Sequence, residues 1–461
     1  MNAMVHMLPA LLLLPIAAAG TSAIAPQMVE NALAGEDRPG GLPDRIVLTP
    51  GADASTGMAV TWRTDLRETD AAAQIAPSIG SSAIEMRARD VHGTTKPVAD
   101  HGGAGLYHAV RFTGLMPGKP YVYRLRGAEG WSEWLQFRTA DRGATGSVRL
   151  LYLGDVQNHI LAKASRTIRS ALLRAAPDLV LHAGDMTETA SDREWGEWVA
   201  AGGFAYAMVP QLPAAGNHEY LRDADGQRRR LGPLWSAQFA LPENGVAAGA
   251  AHGTSYYVDY HGARIVALDG TAALGLDALA AQAEWLDRVL ADSPARWKIV
   301  LQHQPVYSCS RKTDAEPLLS AWVPIFRKRR VDLVLQGHDH CYSRISESRG
   351  KTRRKAGRMT KITAGPVYLV SVAGPKMYAL TGRKAPTPDQ IAADTQLYQT
   401  IDLTADRLSY RAYTATGDLY DSFDLDRAAD GTTQLSQPRA LPTARTCREG
   451  TGPDGGRCLG S

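Results

Sequence analysis

The sequence predicts two folded domains, an N-terminal all-β sandwich and a layered α/β domain after it. Residues 45–141 contain short runs that alternate apolar and polar side chains between turn residues, which is typical of a sandwich. From residue 147 the pattern becomes strand, loop and helix in repetition, which is typical of α/β layers. At 461 residues and 44% hydrophobic, the chain is long enough for two or three folded units.

The first 44 residues indicate export followed by a linker. Residues 1–25 hold a short apolar run at 11–19 and small residues at 21–25, which is the pattern of a cleaved signal peptide. The run is too short for a comfortable transmembrane helix, so we expect no membrane span after its removal. An uncleaved N-terminal anchor is the alternative. We therefore predict a secreted or periplasmic protein, and residues 26–44, rich in Gly, Pro and charge, form the predicted linker.

The N-terminal domain at 45–141 is predicted from six alternating runs, at 45–49, 57–62, 84–88, 107–112, 121–125 and 134–138. The Leu-Met-Pro-Gly-Lys-Pro-Tyr stretch that ends at Tyr121 resembles the tyrosine corner of fibronectin type III domains, and Trp62 is placed like their core Trp. The resemblance implies a fibronectin III-like sandwich in which both side chains are structural.

The second domain is predicted at 147–426. Its predicted strands are 148–153, 177–182, 297–301, 331–335 and 366–372, and its predicted helices are 165–175, 277–291 and 318–330. A closing hairpin is predicted within 396–426. The basic run at 228–230 is interpreted as surface and the one at 349–361 as a solvated loop. The alternative for 349–361 is that it leans over the site and binds an anionic surface or a substrate with several phosphates. Residues 427–461 are polar and Gly-rich, and we predict a flexible tail.

Five short motifs with metal-binding side chains follow apolar runs in this second domain. They are Gly154-Asp155-Val156-Gln157, Gly184-Asp185-Met186-Thr187, Gly216-Asn217-His218-Glu219, Gln302-His303-Gln304-Pro305 and Gly337-His338-Asp339-His340. Sites in α/β sheets gather beyond the carboxyl ends of the strands, so we expect the motifs to converge. Carboxylate, amide and imidazole groups suit a pair of Fe, Zn, Mn or Mg ions, and paired ions activate water and clamp phosphate oxygens.

The ordered motifs resemble the calcineurin-like metallophosphoesterase superfamily, and with the preceding sandwich they most resemble purple acid phosphatases. The resemblance covers about 45–426 and implies a layered α/β/β/α sandwich. It further implies that Asp155 and His340 bind the first of two metal ions and that Asp185 bridges both. Asn217, His303 and His338 would bind the second. His218 would not bind metal but would assist the leaving group, and Glu219 would orient His218 or raise its pKa.

Two positions depart from the purple acid phosphatase pattern. Glu188 stands three residues after the bridging Asp185, where those enzymes have a metal-binding Tyr, and Gln157 stands where other superfamily members have a His. The first metal therefore lacks both usual completing ligands. Gln157 with its amide oxygen and Glu188 with its carboxylate are both open as replacements. We predict no tyrosinate colour.

The predicted function is hydrolysis of a small phosphate monoester by in-line attack of a metal-bound hydroxide, as in acid phosphatases. The alternatives are a phosphodiesterase for nucleotide or lipid diesters and a degraded, adhesion-type protein that only binds metal or phosphate. A net charge of +4, from 51 basic and 47 acidic residues, gives no support for nucleic acid as the main partner. The sequence makes no prediction of the oligomeric state.

Four cysteines fit an oxidising compartment. Cys447 and Cys458 bracket a short Gly-rich stretch, and a local disulfide is predicted between them. Cys309 and Cys341 each follow a predicted ligand His by a few residues. A bridge between them and two separate buried thiols are both open.

Overall fold

The computed structural model describes residues 38–459, apart from 101–102, 145, 356, 384 and 430. The predicted signal peptide at 1–25 lies outside the described residues, as does the predicted linker up to residue 37. None of the helices in the described part of the chain is long and apolar enough to cross a membrane.

The N-terminal domain is a sandwich of two antiparallel sheets, as predicted. Its strands are β1 (Asp44–Pro50), β2 (Met58–Thr64), β3 (Ala72–Pro77), β4 (Arg89–His92), β5 (Thr94–Asp100), β6 (Gly103–Phe112), β7 (Pro120–Gly127), β8 (Gly130–Trp131) and β9 (Leu135–Arg138). One sheet has the order β1-β2-β6-β5; the other has β4-β3-β7-β8, with β9 also paired to β7. Alternate side chains such as Val60, Trp62, Phe112 and Tyr123 fill the core between them.

Both predicted structural side chains of this domain are buried. The hydroxyl of Tyr121 accepts a 2.9 Å hydrogen bond from the backbone N–H of Met116, and the indole of Trp62 donates to the carbonyl of Arg126. The strand predicted at 84–88 was wrong, because Ile84–Arg87 is a 3₁₀ turn. None of the residues in this turn is buried, so the alternating side chains do not pack into the core of the sandwich.

The second domain begins its regular structure at residue 148. Its helices are α1 (Ser165–Ala175), preceded by a π-turn at Ile160–Ala164, α2 (Asp192–Gly202), α3 (Phe204–Met208), α4 (Pro233–Gln238), α5 (Gly270–Gly275), α6 (Leu279–Ala291) and α7 (Glu316–Lys328). The predicted helices match α1, α6 and α7 within two residues at each end. The sequence analysis did not predict α2, in which the charged Asp192 and Glu197 are buried together with Trp195 and Trp198.

The strands of the second domain form one continuous hydrogen-bonded path. They are β10 (Val148–Leu153), β11 (Leu179–His182), β12 (Gln211–Pro213), β15 (Tyr256–Tyr260), β16 (Ala263–Ala267), β17 (Trp297–Leu301), β18 (Leu333–Gln336), β19 (Tyr342–Lys355), β20 (Arg358–Val370), β21 (Gln390–Ala392), β22 (Leu397–Leu403), β23 (Arg407–Thr414), β24 (Leu419–Arg427) and β25 (Thr433–Pro438), with a separate hairpin of β13 (Tyr220–Arg222) and β14 (Arg228–Leu231). The path runs β12-β11-β10-β22-β23-β24-β25-β20-β18-β17-β16-β15.

This path folds so that its two halves face each other across a shared core. Along β17, Ile299 and Leu301 enter the core that also contains β10 and β22, whereas Val300 points to the opposite side. That opposite side is covered by α6 and α7, through residues such as Leu286 and Trp322. The layered α/β/β/α arrangement is therefore present.

The C-terminal segment is not the flexible tail predicted at 427–461. β25 inserts between β20 and β24, so residues 433–438 belong to the sheet path. Beyond it, the backbone N–H of Ala393 donates to Arg445, and a disulfide joins Cys447 to Cys458. Polar composition misled the prediction, because backbone pairing with two neighbours holds β25 in the sheet although Leu435 is its one large apolar side chain. The basic run at 349–361 likewise belongs to the hairpin of β19 and β20 rather than to a loop.

A buried ionic cluster joins the two domains at the start of α2. Asp192 accepts hydrogen bonds from Arg45 at 2.5 and 2.9 Å, from Arg63 at 3.1 Å and from the hydroxyl of Tyr107 at 2.9 Å. The two arginines and the tyrosine belong to the sandwich, whereas Asp192 follows the Asp185 loop. The sandwich therefore contacts the element that leads out of a predicted site loop.

Candidate metal centre

All five motifs meet at one edge of the folded sheet. The Asp155, Asp185 and Asn217 loops follow β10, β11 and β12, which pair in parallel. The His303 and His338 loops follow β17 and β18, a second parallel pair in the opposite half. The carboxyl ends of both halves therefore place their loops against each other, as predicted.

Four predicted ligands have backbone conformations that non-glycine residues seldom adopt. The φ angles are 49° at Asp155, 50° at Asp185, 72° at His338 and 49° at His340. Such strain concentrates at functional sites because packing elsewhere must hold it in place. Close packing adds to this constraint, since a Cβ on Gly337 would lie 2.4 Å from Oδ2 of Asp155.

One group of ligand atoms gathers around His303. Its Nδ1 donates to the carbonyl of Ala183 at 2.8 Å, so Nε2 is the nitrogen that can bind a cation once its proton is displaced. Within 3.1 Å of that Nε2 lie Oδ2 of Asp185, Oδ1 of Asn217 and Nδ1 of His338. Several electron-pair donors thus converge on one point, which is the arrangement that binds a cation.

A second group gathers around Asp155 and His340. Nδ1 of His340 donates to the carbonyl of Lys376 at 3.0 Å, which leaves Nε2 to face Oδ1 of Asp155 at 3.7 Å. The ligand atoms of Asp155, Asp185 and His340 all lie within 4.8 Å of one another, as do those of Asp185, His303 and His338. Asp185 therefore belongs to both groups.

The protonation of these residues fits cation binding. Burial lowers the pKa of His340 to about 3 and that of His338 well below its usual range, so both imidazoles are neutral. Burial also lowers the pKa of His303, but the carboxylates of Asp185 and Asp155 outweigh it and raise that pKa to about 9. Burial raises the pKa of Asp155 well above its usual range. Bound cations would replace these protons.

Gln157 and Glu188, the two open replacements, lie in different surroundings. The amide Nε2 of Gln157 is 3.5 Å from Nε2 of His340, and its buried Oε1 has no hydrogen-bond partner in the part of the chain that the structure describes. The carboxylate Oε2 of Glu188 lies 3.4 Å from Nδ1 of His218 and 3.6 Å from Nζ of Lys376. Gln157 thus lies beside the Asp155 group, whereas Glu188 lies beside His218.

His218 lies at the edge of the two groups, and its ring is held through Nδ1. Its Nδ1 donates to the carbonyl of Glu188 at 2.5 Å, and its Nε2 faces Oδ2 of Asp185 at 3.9 Å. Burial lowers the pKa of His218, and the carboxylates of Asp185 and Glu188 oppose this shift. Nε2 is therefore the nitrogen that faces the predicted metals.

Glu219 does not orient the His218 ring as expected. Its Oε2 accepts from the backbone N–H groups of Asp185 and Gly216 at 2.9 and 2.8 Å, and its Oε1 accepts from Met186 at 2.9 Å. Burial raises the pKa of Glu219 to about 7. The fully buried carboxylate of Glu219 accepts from backbone N–H groups that would otherwise have no hydrogen-bond partner. Glu219 therefore holds the Asp185 loop and the Asn217 loop together.

Two cationic side chains near the site were not singled out from the sequence. Arg228, interpreted as surface, is half-buried, with Nη2 2.9 Å from Nδ1 of His218. Lys376 lies on the other side of Glu188. The Asp225-Gly226 pair is a hairpin signal that would have returned Arg228 toward His218.

The loops that follow β17 and β18 are joined covalently. Cys309 and Cys341 form a disulfide that spans 32 residues, which settles the question left open by the sequence. The predicted Cys447–Cys458 disulfide is also present.

The fold and the clustered ligands define a metallophosphoesterase, and comparison with known families agrees. The calcineurin-like phosphoesterase family matches residues 148–342, and the purple acid phosphatase N-terminal domain matches residues 43–139. The chain therefore carries a calcineurin-like phosphoesterase domain preceded by a purple acid phosphatase N-terminal domain, which is the domain composition of a metal-dependent phosphoric ester hydrolase.

Individual relatives are distant. Acid phosphatase type 7 of Homo sapiens is 28% identical over 336 residues, covering 67% of this chain and 72% of the human protein. An uncharacterized Mycobacterium tuberculosis protein is 27% identical, covering 65% of this chain and 61% of its own length. Among solved structures, the purple acid phosphatase PPD1 of yellow lupin seeds superposes with a TM-score of 0.70 at 18% identity, over 85% of this chain and 75% of the lupin chain. PhoD superposes with a TM-score of 0.61 at 14% identity, over 87% and 93%.

Proposed function

We propose that this protein hydrolyses phosphate monoesters at a centre of two metal ions. The observation that carries the proposal is the pair of ligand groups that share Asp185 and lie beside His218. The opposite halves of the sheet supply different ligands, so the centre depends on the complete fold. A degraded, adhesion-type binding protein would have no need of a buried non-ligand His with one nitrogen facing the metals.

In this proposal Asp155, Asp185 and His340 hold the first ion, and Asp185, Asn217, His303 and His338 hold the second. Two divalent ions there would neutralise charge on phosphate oxygens and supply a water-derived nucleophile near neutral pH. The mixed carboxylate, amide and imidazole donors suit Fe, Zn or Mn, and Mg remains compatible with the oxygen-rich first group.

Gln157, rather than Glu188, completes the first group. The unpartnered buried oxygen of Gln157 lies on an amide that already faces His340, and rotation of an amide exchanges its oxygen and nitrogen. Glu188 lies against His218 and Lys376 instead. We assign Glu188 the positioning of His218, because a carboxylate near Nδ1 stabilises the charged imidazole.

His218 gives the proton that the leaving group needs. A water molecule first gives up one proton, and its oxygen then bonds to phosphorus. The phosphorus–oxygen bond to the alcohol breaks, and the leaving oxygen keeps the electron pair. That oxygen takes a proton from Nε2 of His218, while Nδ1 keeps its hydrogen bond to Glu188. His218 acts in its doubly protonated form and regains a proton after turnover, which balances the one released from water. Glu219 holds the backbone of the Asp185 and Asn217 loops while charge develops.

A monoester preference and export are parts of the same proposal. A monoester dianion gains more than a diester monoanion from the half-buried cations Arg228 and Lys376 near the centre. The similarity to acid phosphatases also supports the proposed preference for monoesters. Two disulfides support export to an oxidising compartment.

The test compares hydrolysis of matched aryl phosphate mono- and diesters by the metal-loaded protein, with and without chelator. We expect chelator-sensitive turnover with higher kcat/KM for the monoester. His218→Gln should lower kcat by about a hundredfold or more while both ions stay bound. Asp185→Asn should lose both activity and bound metal, whereas Asp225→Asn, at an exposed carboxylate, should match the wild type.

Other outcomes would contradict parts of the proposal. Higher kcat/KM for the diester would indicate a phosphodiesterase. No turnover with Fe, Zn, Mn or Mg would indicate the binding-protein alternative. Wild-type kcat in His218→Gln would remove the proposed proton donor.

A further inference from the structure

The three consecutive arginines of β14 have different surroundings. Arg229 and Arg230 are exposed, and Arg229 forms an ion pair with Asp225 at 2.8 Å. Arg228 is half-buried and is directed toward His218. The hairpin of β13 and β14 begins directly after the Asn217 motif, so its return strand brings Arg228 back to the site.

One side of the Arg228 guanidinium is anchored and the other has no anionic partner. Nη1 donates to the carbonyl of Tyr220 at 2.7 Å. Nη2 lies 2.9 Å from Nδ1 of His218, but that nitrogen carries the proton that goes to the carbonyl of Glu188, so it offers no lone pair. Within the described residues Arg228 forms no ion pair. A half-buried guanidinium that forms no ion pair is well suited to bind an anionic group of a ligand.

Arg228 is on the side of the site where the leaving group must pass. In the proposed function, the leaving oxygen takes its proton from Nε2 of His218, so the atoms attached to that oxygen extend along the His218 side. Lys376, whose Nζ is 3.6 Å from Oε2 of Glu188, adds a second positive charge there. Three carboxylates lie near these cations: Glu188, Asp185 and Glu219. In the proposed function Asp185 is taken up by the metal ions, and Glu219 is taken up by backbone donors, so Glu188 is the carboxylate left to balance the two cations.

We propose that Arg228 is a specificity-determining residue that binds an anionic group on the leaving half of the substrate. The preferred substrates are phosphate esters whose leaving alcohol itself carries a carboxylate or a second phosphate. This inference rests on the proposed function, because it needs His218 on the leaving-group side.

The test uses two aryl phosphates that differ by one charge, meta-carboxyphenyl phosphate and meta-carbamoylphenyl phosphate. The ratio of their kcat/KM values measures recognition of the leaving-group anion and cancels any general loss of activity. We expect the wild type to favour the carboxylate about tenfold, as for a charge-assisted hydrogen bond at a half-buried site. Arg228→Gln should bring the ratio close to one, and Arg228→Lys should keep part of the preference.

Arg229→Gln is the matched control, because Arg229 is the neighbouring, exposed arginine, and it should keep the wild-type ratio. A second readout is calorimetric binding of the corresponding carboxy- and carbamoyl-benzylphosphonates, which are not hydrolysed. Arg228→Gln should weaken only the binding of the carboxylate compound, by about tenfold.

The outcomes separate the two proposals. If the wild type hydrolyses neither ester, the proposed function fails. If it hydrolyses both without a carboxylate preference, or if Arg228→Gln keeps the wild-type ratio, the role of Arg228 is overturned while the proposed function stands.

Discussion

The proposed ligands differ from ordinary buried polar residues in how their ring nitrogens are used. His303 and His340 each donate Nδ1 to a backbone carbonyl, of Ala183 and of Lys376, and each turns Nε2 toward carboxylates. A backbone carbonyl can only accept, so it fixes the tautomer and leaves the second nitrogen able to bind a cation. This feature is invisible in the sequence, where the acceptors lie far from the histidines.

Gln157 and Glu188 give a prediction that separates ligation from positioning. Gln157→Ala should weaken the binding of one ion by about tenfold or more, because the first group loses a donor. Glu188→Gln should keep both ions bound and lower kcat, because His218 loses a nearby negative charge. Metal titration followed by steady-state kinetics on each variant checks this. Loss of an ion in Glu188→Gln, with none in Gln157→Ala, would reverse the assignment.

His182 gives a prediction about pH. Burial next to Trp198 and Tyr206 lowers the pKa of His182 to about 4, from a usual value of about 6.5. The unfolded chain therefore takes up this proton at higher pH than the folded chain does. The stability it contributes is complete above pH 6.5 and falls as the pH drops toward 4, by up to about 3 kcal/mol.

Urea unfolding of metal-free protein at neutral and acidic pH measures this effect. His182→Gln, which keeps a donor for Gln211, should lose less free energy of unfolding than the wild type over the same pH interval. An equal loss in both proteins would mean that His182 does not titrate as described.

At the scale of elements, periodic stretches were predicted well and irregular ones poorly. The strands β10 and β17 and the helix α1 match their predicted bounds, because apolar spacing alone determines them. β20 was predicted only at its end, within the strand 366–372. β25, β19 and the first part of β20 were missed, because their side chains are mostly polar or basic and β25 pairs with strands that lie earlier in the chain. The motif loops were located from the strands before them, whereas the Arg228 and Lys376 positions depend on hairpin and loop paths that no local pattern fixes.

The Cys309–Cys341 disulfide should stabilise the two loops that carry the proposed His ligands. Replacing both cysteines with Ala should lower the free energy of unfolding by about 3 kcal/mol and weaken metal binding. The matched control is the Cys447–Cys458 pair, which closes a shorter loop of 11 residues away from the motifs. Replacing this second pair with Ala should lower the free energy of unfolding by less and should leave metal binding unchanged. Equal effects of the two pairs on metal affinity would contradict the loop-holding role.

At the scale of the whole molecule, the sandwich and the phosphoesterase domain behave as one structural unit in this fold. Asp192 receives donors from three sandwich residues and begins the helix that follows the Asp185 loop. The sandwich was predicted from alternation and the second domain from its motifs. Their contact could not be predicted, because it depends on Arg45, Arg63 and Asp192, which are far apart in sequence.

Asp192→Asn should therefore destabilise the two-domain protein strongly. The substitution removes the carboxylate that accepts from Arg45 and Arg63 inside the cluster, although Arg63 keeps its pair with Asp44. Breaking a buried ion pair in this way costs about 3 kcal/mol or more. Thermal unfolding with circular dichroism measures it. Asp225→Asn, which breaks an exposed pair with Arg229, is the control and should leave the transition unchanged. A similar transition for both variants would show that the interdomain cluster contributes little.

The central claim is that two metal ions share Asp185. The most direct measurement is electron paramagnetic resonance of the Mn(II)-loaded protein together with its metal content. We predict two ions per chain with the exchange-coupled signal of a close pair, and a loss of that coupling in Asp185→Asn. One ion per chain, or two ions with the spectrum of isolated Mn(II), would contradict the claim.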